Sequence, residues 1–248
     1  MDAPRCLVLG GSGYVGAAVC RLLAARGARV AFSYRSGEAL SRETERALPG
    51  SRAVRVELRD AVAVRAAVES IARQWGGLDA LVQCAGTAGD ASLYRTAADG
   101  TRPRLQGIGD ADWDEMLEVT VRSTFVACRA AAPAMVPGGN IVVVGSMDGV
   151  KSLPSPQHYA AAKGALRSLV QSLAQELGGA GIRANMLAPG LLEGGMGKLL
   201  GPDLIKDYVD HCALRRLGTA AEVAEWVAFL ALENTYVNGQ AILLDGGL

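Results

Sequence analysis

Apolar residues along the chain follow two alternating patterns, short continuous runs and longer segments with helical spacing. The first run, Cys6–Leu9, leads into a glycine-rich turn, after which Val15–Arg26 has helical periodicity that ends at Gly27. The chain therefore opens with a strand, a glycine turn and a helix. Further strands are predicted over Arg29–Tyr34, Ala53–Leu58, Leu78–Gln83, Asn140–Gly145, Ile182–Leu187 and Gln240–Leu244.

Helical patterns separate most of these strands. Parallel neighbours in a sheet need crossover connections of this kind, which place helices on both faces. No linker, repeat or low-complexity segment interrupts the pattern. We therefore predict a single α/β domain over residues 1–248, built on a doubly wound parallel sheet of about seven strands. The predicted helices are Glu38–Leu48, which Pro49-Gly50 closes, Ala61–Gln74, Trp113–Ala132, Tyr159–Leu177 and Ala220–Leu232.

Two stretches lack regular periodicity. Thr87–Asp112 carries Gly, Asp, Thr and Pro residues and is long for a connection in a compact domain. Gly190–Tyr208 is glycine-rich around Gly194-Gly195. Irregular segments of this length often form ligand sites, so we expect both to shape a substrate pocket, the second as a mobile flap.

Composition excludes several classes of protein. Net charge is zero, and no basic stripe with aromatic residues suggests nucleic-acid binding. Half of the residues are apolar, yet no run approaches the ~20 residues needed to cross a bilayer, so we expect no membrane partner. The cysteines are odd in number and lack a CxxC pair, which argues against a disulfide framework or a metal site and favours a cytoplasmic protein with reduced thiols. They are Cys6, Cys20, Cys84, Cys128 and Cys212.

The glycine turn is the first candidate for chemistry. Gly10, Gly13 and Gly16 form G-x-x-G-x-x-G where the first strand meets the first helix. Glycine permits the tight turn and lets a pyrophosphate approach backbone N–H groups, while the positive end of the helix dipole favours the anion. An unrelated turn can carry the same spacing, but its position at the start of a repeating β/α pattern predicts a Rossmann-type dinucleotide site.

The end of the second strand discriminates between nicotinamide cofactors. An acidic residue there accepts from the 2′-hydroxyl of NAD, whereas a cation accommodates the 2′-phosphate of NADP. Here the residues are Tyr34, Arg35 and Ser36, with no carboxylate. Arg35 offers a forked, charge-assisted contact to phosphate and Ser36 a hydrogen bond, which predicts NADP(H). A solvated surface arginine is the alternative interpretation.

Tyr159 and Lys163 lie four residues apart at the start of a predicted helix and therefore share one face. A neighbouring ammonium favours the phenolate, so the pKa of Tyr159 is predicted to fall below the usual ~10. Ser146 follows a predicted strand and is placed to hydrogen-bond a substrate oxygen. Taken singly, the YxxxK spacing is common and usually marks a surface pair.

Several motifs follow the glycine turn in order: Leu78-Asp79-Ala80-Leu81-Val82 with Cys84-Ala85-Gly86, Ser146, Tyr159 with Lys163, Pro189-Gly190, Asn238-Gly239-Gln240 and Asp245-Gly246-Gly247. This combination resembles the short-chain dehydrogenase/reductase family over essentially the whole chain. Within that family the chain is most similar to the 3-oxoacyl-(acyl-carrier-protein) reductases, as the turn after the second strand and the ending indicate.

The resemblance implies an NADPH-dependent ketoreductase in which Tyr159 is the acid/base, Lys163 positions the nicotinamide ribose and tunes the tyrosine, and Ser146 orients the carbonyl. It implies a β-ketoacyl substrate linked to a carrier protein, or a polyketide-like ketone, as in fatty acid or polyketide biosynthesis. It also implies a homotetramer or homodimer. Besides Tyr159 and Lys163, the predicted cofactor-binding set is Gly10, Ser12, Gly13, Tyr14, Val15, Gly16, Tyr34, Arg35, Ser36, Glu57, Leu58, Cys84, Ala85, Gly86, Pro189 and Gly190.

The chain departs from the family at several positions. Thr120 aligns with the usual catalytic asparagine, and a threonine cannot reproduce the carbonyl and NH₂ pattern of an amide. Cys84 replaces the first residue of Asn-Ala-Gly, and Tyr14 stands where a third close glycine is common. Thr120 stays in the predicted catalytic set. The departures motivate an alternative function, a catalytically weakened nucleotide-binding subunit that supports an active homologue, although retention of the serine, tyrosine and lysine favours an enzyme.

Two polar residues lie close to this set in the sequence. His158 precedes Tyr159, and without a supporting partner it is interpreted as structural or substrate-contacting. Asp148 follows Ser146 by two positions and is interpreted as a solvated loop carboxylate. Neither belongs to the predicted core set.

Overall fold

The computed structural model describes residues 3–48, 50–90, 93, 105–153 and 155–248. Pro49 and half of the predicted Thr87–Asp112 loop lie outside these residues. Seven strands form one sheet in the order β3-β2-β1-β4-β5-β6-β7, and each pair of neighbours is parallel. They are β1 (Arg5–Leu9), β2 (Arg29–Tyr34), β3 (Arg52–Arg55), β4 (Leu78–Gln83), β5 (Met135–Val144), β6 (Arg183–Pro189) and β7 (Ala241–Leu244).

Helices alternate with these strands along the chain. They are α1 (Tyr14–Ala25), α2 (Glu38–Ala47), α3 (Ala61–Trp75), α4 (Asp110–Leu117), α5 (Ser123–Ala131), α6 (Gln157–Leu177), α7 (Pro202–His211) and α8 (Ala220–Ala228). A π-helical turn, Glu118–Arg122, joins α4 to α5. None of the helices within the described ranges combines the length and hydropathy needed to span a bilayer.

The sheet is buried on both faces. Leu7 and Leu9 of β1 pack with α3, α5 and α6, whereas Cys6 and Val8 of the same strand pack with α1 and α8 on the opposite face. Successive side chains of a strand point to opposite faces, so a strand covered on both sides is a continuous apolar run. This arrangement confirms the predicted doubly wound sheet with helices on both faces.

The strand order reverses direction between β1 and β4. The connection from β1 leads to β2 on one side, whereas β4 lies on the other, and the two carboxyl ends leave a crevice between them. Gly10 follows β1, and Cys84 follows β4 with its N–H donating to the carbonyl of Leu9. Ligands of open α/β sheets bind at such a switch point, so the topology brings the predicted glycine turn and the Cys84-Ala85-Gly86 segment to one place.

Several predicted boundaries were wrong. The predicted Trp113–Ala132 helix begins earlier, at Asp110, where Asp112 accepts from the N–H of Gly109, and the π-helical turn interrupts its α-helical geometry. The predicted flap Gly190–Tyr208 is largely helical, with a 3₁₀ segment, Gly195–Leu199, followed by α7. Gly201 followed by Pro202 at the first helical position is the signal that marks α7, because proline is well tolerated there.

Candidate active site

The glycine turn brings the start of α1 close to the end of β1. Gly10 has a φ of 79°, and a Cβ at this residue would lie 2.6 Å from the Cα of Ala85. A Cβ at Gly16 would lie 2.1 Å from the carbonyl oxygen of Gly10. Both contacts are too short for a side chain, so the approach of α1 to the two strands requires glycine at these positions.

The first turn of α1 offers uncapped backbone N–H groups. No side chain caps the helix, and its first turn contains no acidic residue. Gly13, Tyr14, Val15 and Gly16 all line one cavity. The positive end of the helix dipole and the unpaired donors fit the pyrophosphate of a dinucleotide, so the residues present match the cofactor predicted from the sequence.

The predicted NADP-selecting residues extend beyond β2. Tyr34 is buried at the end of the strand, whereas Arg35 and Ser36 are exposed. The nearby carboxylates Glu38 and Glu45 are paired with Arg42. The Arg35 guanidinium is therefore not committed to either of them, and its position at the switch-point edge of the sheet suits contact with a ribose phosphate.

Ser146, Tyr159 and Lys163 meet at one wall of the cavity. Tyr159 and Lys163 occupy the first two turns of α6, and Nζ of Lys163 lies 5.4 Å from the centroid of the Tyr159 ring. Ser146 follows β5, and a side-chain hydrogen bond joins it to Tyr159. All three residues are buried and line the cavity. The tertiary structure thus brings together the three polar groups that the sequence singled out.

The pKa values of these groups respond mainly to burial. Burial raises the pKa of Tyr159, with the hydrogen bond to Ser146 lowering it and the charge of Asp148 raising it further. Burial lowers the pKa of Lys163 to about 8, although Asp148 and Cys84 oppose this change. The sequence-based prediction that Lys163 lowers the pKa of Tyr159 was wrong in direction, because desolvation of the phenolate outweighs the other influences. Tyr159 therefore holds its proton at neutral pH.

Asp148 is part of this wall. The Ser146 hydroxyl donates to Oδ2 of Asp148 at 2.6 Å, and the N–H of Asp148 donates back to Oγ of Ser146 at 3.3 Å. Asp148 is half-buried and lines the cavity. The interpretation as a solvated loop carboxylate was wrong. The turn that carries it packs tightly on α6, since a Cβ at Gly149 would lie 2.4 Å from the carbonyl oxygen of Lys163.

Thr120 lies away from the cavity. It is fully buried in the π-helical turn, its hydroxyl faces Sδ of Met116 at 3.7 Å, and its carbonyl accepts from the hydroxyl of Thr124 at 2.6 Å. A π-helical turn within a helix often marks a functional site. Thr120 is not among the residues that line the cavity, and its hydroxyl is engaged by the sulfur of Met116.

His158 is not among the residues that line the cavity. It is fully buried, and neither ring nitrogen has a hydrogen-bond partner among the described residues. A Cβ at Gly89 would lie 3.2 Å from its Nε2. Burial lowers the pKa of His158 despite the opposing charge of Asp112, so the ring is neutral at pH 7. The structural interpretation of His158 therefore fits its surroundings.

The cavity has a volume of about 610 Å³ and extends from the glycine turn to α7. Volumes in this range accommodate a cofactor or small-molecule ligand. Its far wall is mainly apolar, with Leu153, Met196, Leu200 and Leu204 among the lining residues. The predicted site residues that line it are Gly13, Tyr14, Val15, Gly16, Cys84, Gly86, Ser146, Tyr159, Lys163, Pro189 and Gly190.

Other predicted residues lie outside the lining. Gly10 and Ala85 form the base of the turn and contact each other, as the short Cβ distance indicates. Glu57 is exposed and Leu58 half-buried just after β3, at the same edge of the sheet. Besides Gly10, Ala85, Glu57 and Leu58, the predicted residues not found in the lining are Ser12, Tyr34, Arg35, Ser36 and Thr120.

Residues missed from the sequence lie on the far side. Gly194, in the segment before α7, packs against the ring of the predicted residue Tyr14, since a Cβ at Gly194 would lie 2.6 Å from that ring. Leu200, Leu204 and Tyr208 also line the cavity, but they lie in a stretch that was predicted to be irregular. Helical spacing of apolar residues after Pro202 is the signal that could have found them.

The amino-acid sequence matches known proteins over nearly the whole chain. The sequence profile described as Enoyl-(Acyl carrier protein) reductase matches residues 12–248. A 2-(R)-hydroxypropyl-CoM dehydrogenase from Xanthobacter autotrophicus is 34% identical, covering 97% of this chain and 96% of the relative. The 3-oxoacyl-(acyl-carrier-protein) reductase FabG of Thermotoga maritima is 32% identical, covering 100% of this chain and 98% of the relative.

A solved structure agrees with these sequence matches. A short-chain dehydrogenase from Burkholderia cenocepacia, in complex with NADP, is 34% identical and has a TM-score of 0.85, covering 99% of this chain and 98% of that one. Fold, motif order and matched length therefore point the same way. The chain belongs to the short-chain dehydrogenase/reductase family, and within it is most similar to the 3-oxoacyl-(acyl-carrier-protein) reductases.

Proposed function

We propose that this protein is an NADPH-dependent ketoreductase that reduces a β-ketoacyl group linked to a carrier protein, or a polyketide-like ketone, in fatty acid or polyketide biosynthesis. The observation that carries the proposal is the meeting of Ser146, Tyr159 and Lys163 on the wall of a cavity that also contains the start of α1. A single NADP-binding domain over residues 1–248 serves this reaction, because one sheet carries both the glycine turn and the catalytic group.

The cofactor is NADP(H), as the Arg35-Ser36 turn and the family membership support. Bound NADPH supplies the hydride that reduces the carbonyl carbon. The uncapped N–H groups of α1 would hold its pyrophosphate, and Arg35 would contact its 2′-phosphate. Lys163, buried beside Tyr159, would position the nicotinamide ribose.

Negative charge develops on the substrate oxygen as the carbonyl carbon is reduced. Ser146 hydrogen-bonds this oxygen and holds it beside Tyr159. Tyr159 keeps its proton at neutral pH because burial raises its pKa, so it donates that proton to the oxygen. The apolar far wall, with Leu153, Met196 and Leu204, suits an acyl chain or another hydrocarbon group.

The direct test mixes the purified protein with NADPH and a short β-ketoacyl thioester and follows the nicotinamide absorbance. Carrier-bound β-ketoacyl chains, polyketide-like ketones and sugars are then compared as substrates. A preference for β-ketoacyl chains supports the proposal. Binding of NADPH without oxidation of the cofactor on any ketone would instead support the catalytically weakened subunit, which the replacements at Thr120 and Cys84 motivate.

Arg35→Ala tests the choice of cofactor. We expect the ratio of NADPH to NADH affinity to fall by about tenfold or more, because charge-assisted hydrogen bonds to the 2′-phosphate contribute roughly 1.5–3 kcal/mol. Fluorescence titration with each cofactor measures the ratio. Arg55→Ala, at the exposed end of β3, is the matched control. An unchanged ratio in the Arg35 variant would show that this arginine does not read the phosphate.

We further propose that the chain forms a homotetramer or homodimer, in which α4–α5 and α6 pack across a two-fold axis. Trp113 and Phe125 leave large apolar side chains exposed on these helices, at 40% and 44% of their surface. Light scattering at micromolar concentration is expected to give a dimeric or larger mass, and Phe125→Asp to lower it. A wild-type monomer would contradict the proposal.

The free cysteines suit a cytoplasmic location.

A further inference from the structure

The Tyr14 ring lies against two adjacent glycines of the segment before α7. For a Cβ placed on Gly194, the nearest atoms are Cε2 and Cζ of Tyr14 at 2.6 Å and Cδ2 at 3.0 Å. For a Cβ placed on Gly195, they are Cβ and Cδ1 of Tyr14 at 3.3 Å and Cγ at 3.6 Å. The Tyr14 side chain therefore takes the space that side chains at these two positions would need.

Backbone conformation accounts for only one of the two glycines. Gly195 has a φ of 63°, in the left-handed region that favours glycine. Gly194 has a φ of −140° and a ψ of −170°, an extended conformation that any residue adopts. Gly194 is nevertheless buried. The close approach of the Tyr14 ring, and not the backbone, is thus the reason that a glycine fits at position 194.

The residues that precede this contact are held by backbone hydrogen bonds to another part of the chain. The N–H of Gly218 donates to the carbonyl of Leu191 at 2.9 Å, and the carbonyl of Gly218 accepts from the N–H of Glu193 at 3.0 Å. These two bonds hold the backbone as far as Glu193. Gly194 follows directly, so its contact with Tyr14 holds the next part of the segment against the first turn of α1.

Met196 joins the same segment to the catalytic group. Its half-buried side chain packs against the cluster formed by Met116, Tyr159 and Ala162. Met196 also lines the cavity, as do Tyr14 and Tyr159. The segment therefore connects the Tyr14 ring, at the glycine turn, to the cluster around Tyr159.

We propose that Tyr14 is a positioning residue for ketone reduction. Its ring seats the two glycines before Met196 and thereby places Met196 against the cluster around Tyr159, in the wall that receives the substrate. This inference rests on the proposed ketoreductase function. An apolar side chain held beside the reacting carbonyl limits the orientations that the substrate can take. The effect of Tyr14 on the reaction passes through Met196.

Tyr14→Ala removes the ring and keeps the backbone of the first turn of α1. With NADPH and S-acetoacetyl-N-acetylcysteamine, a short β-ketoacyl thioester, we expect kcat/KM for the ketone to fall by about tenfold, because small misplacements near the reacting atoms are costly. Tyr14→Phe keeps every ring atom that approaches the glycines and should recover most of this loss. Gly201→Ala is the matched control on the same segment, because a Cβ there meets no atom within 4 Å.

The affinity for NADPH separates positioning from cofactor binding. The proposed pyrophosphate site uses the backbone N–H groups of α1, which Tyr14→Ala retains. We therefore expect the Kd of NADPH, measured by fluorescence titration, to change by less than about threefold. A loss of NADPH affinity as large as the loss of kcat/KM would overturn the inference, because it would assign the Tyr14 ring to the cofactor.

Met196→Ala tests the route of the effect. If Tyr14 acts through Met196, this variant should lose a similar factor in kcat/KM. Adding Tyr14→Ala to Met196→Ala should then lower kcat/KM by less than about twofold further, because the contact that Tyr14 positions is already absent. Losses that multiply in the double variant would show that the two side chains act independently, and this result would overturn the inference.

A test of the contact itself needs neither cofactor nor ketone. The backbone at Gly194 accepts an alanine, so the cost of Gly194→Ala arises from the Tyr14 ring. In chemical denaturation, Gly194→Ala should lower the unfolding midpoint more in the wild type than in the Tyr14→Ala background. Equal shifts in the two backgrounds would overturn the inference. Unequal shifts in a protein that reduces no ketone would instead contradict the proposed function, and with it the positioning role, while the contact stands, so the two failures are distinguishable.

Discussion

Tyr159→Phe is expected to lower kcat for ketone reduction by about 10²-fold or more, in line with the loss of a positioned general acid. The phenylalanine ring keeps the packing against Met116 and Ala162 and removes only the hydroxyl that bonds Ser146. NADPH binding is expected to persist, since the hydroxyl is assigned to the substrate oxygen. Nicotinamide absorbance measures turnover, and fluorescence titration measures the cofactor affinity.

Tyr236→Phe is the control for this prediction, because Tyr236 is 95% exposed and lies outside the cavity lining. Full activity of Tyr159→Phe on a verified substrate would show that another group delivers the proton. A loss of NADPH affinity equal to the loss of turnover would instead assign the Tyr159 hydroxyl to cofactor binding.

Lys163→Met is expected to abolish most turnover and to weaken NADPH binding, since the ammonium is assigned to the ribose as well as to the tyrosine. The same change should stabilise the free protein. Burial lowers the pKa of Lys163 from 10.5 to about 8, so its charged form costs about 3 kcal/mol at pH 7. Methionine has a similar length without the charge.

The pH dependence of this stabilisation has a definite sign. Below pH 8, Lys163 is protonated in both the folded and the unfolded state, and the cost of the buried charge is fully present. Between pH 8 and pH 10.5 only the unfolded state holds the proton, so wild-type stability recovers with rising pH. The advantage of Lys163→Met, measured by chemical denaturation, should therefore shrink across this window.

Lys206→Met serves as the control, because this lysine is exposed on α7 and its ion pair with Asp210 lies on the surface. We expect little change in either activity or stability for that variant. If Lys163→Met were less stable than wild type at pH 7, the ammonium would be making compensating contacts that outweigh its desolvation.

The wall of the cavity formed by Ser146, Tyr159 and Lys163 was partly predictable from the sequence, because Tyr159 and Lys163 lie on one helix. A spacing of four residues places Tyr159 and Lys163 on the same face wherever the helix packs. The requirement for glycine at Gly16 is equally local, since a Cβ there would strike the carbonyl oxygen of Gly10, and the positive φ of Gly10 is a property of the same turn. These features depend on neighbours within a few residues, so the sequence pattern was sufficient to identify them.

The direction of the Tyr159 pKa could not be read from the same spacing. Proximity of Lys163 favours the phenolate, but burial by α4 and the Ser146 turn opposes it more strongly. The balance depends on how completely the folded chain excludes water from the Tyr159 hydroxyl. Segments distant from Tyr159 in the sequence determine this exclusion. The hydrogen bond between Asp148 and Ser146 was hidden for the same reason, because a loop carboxylate is solvated unless its turn packs on a helix.

The sequence by itself determined the order and type of most elements, because continuous apolar runs mark strands covered on both faces and glycines mark turns that exclude a Cβ. Only the tertiary structure decided which polar groups meet. It turned the Thr120 hydroxyl toward Met116 and placed the Asp148 carboxylate on Ser146. Backbone conformation responds to residues nearby in the chain, whereas solvation, charge and hydrogen bonding respond to whatever residues the fold brings alongside.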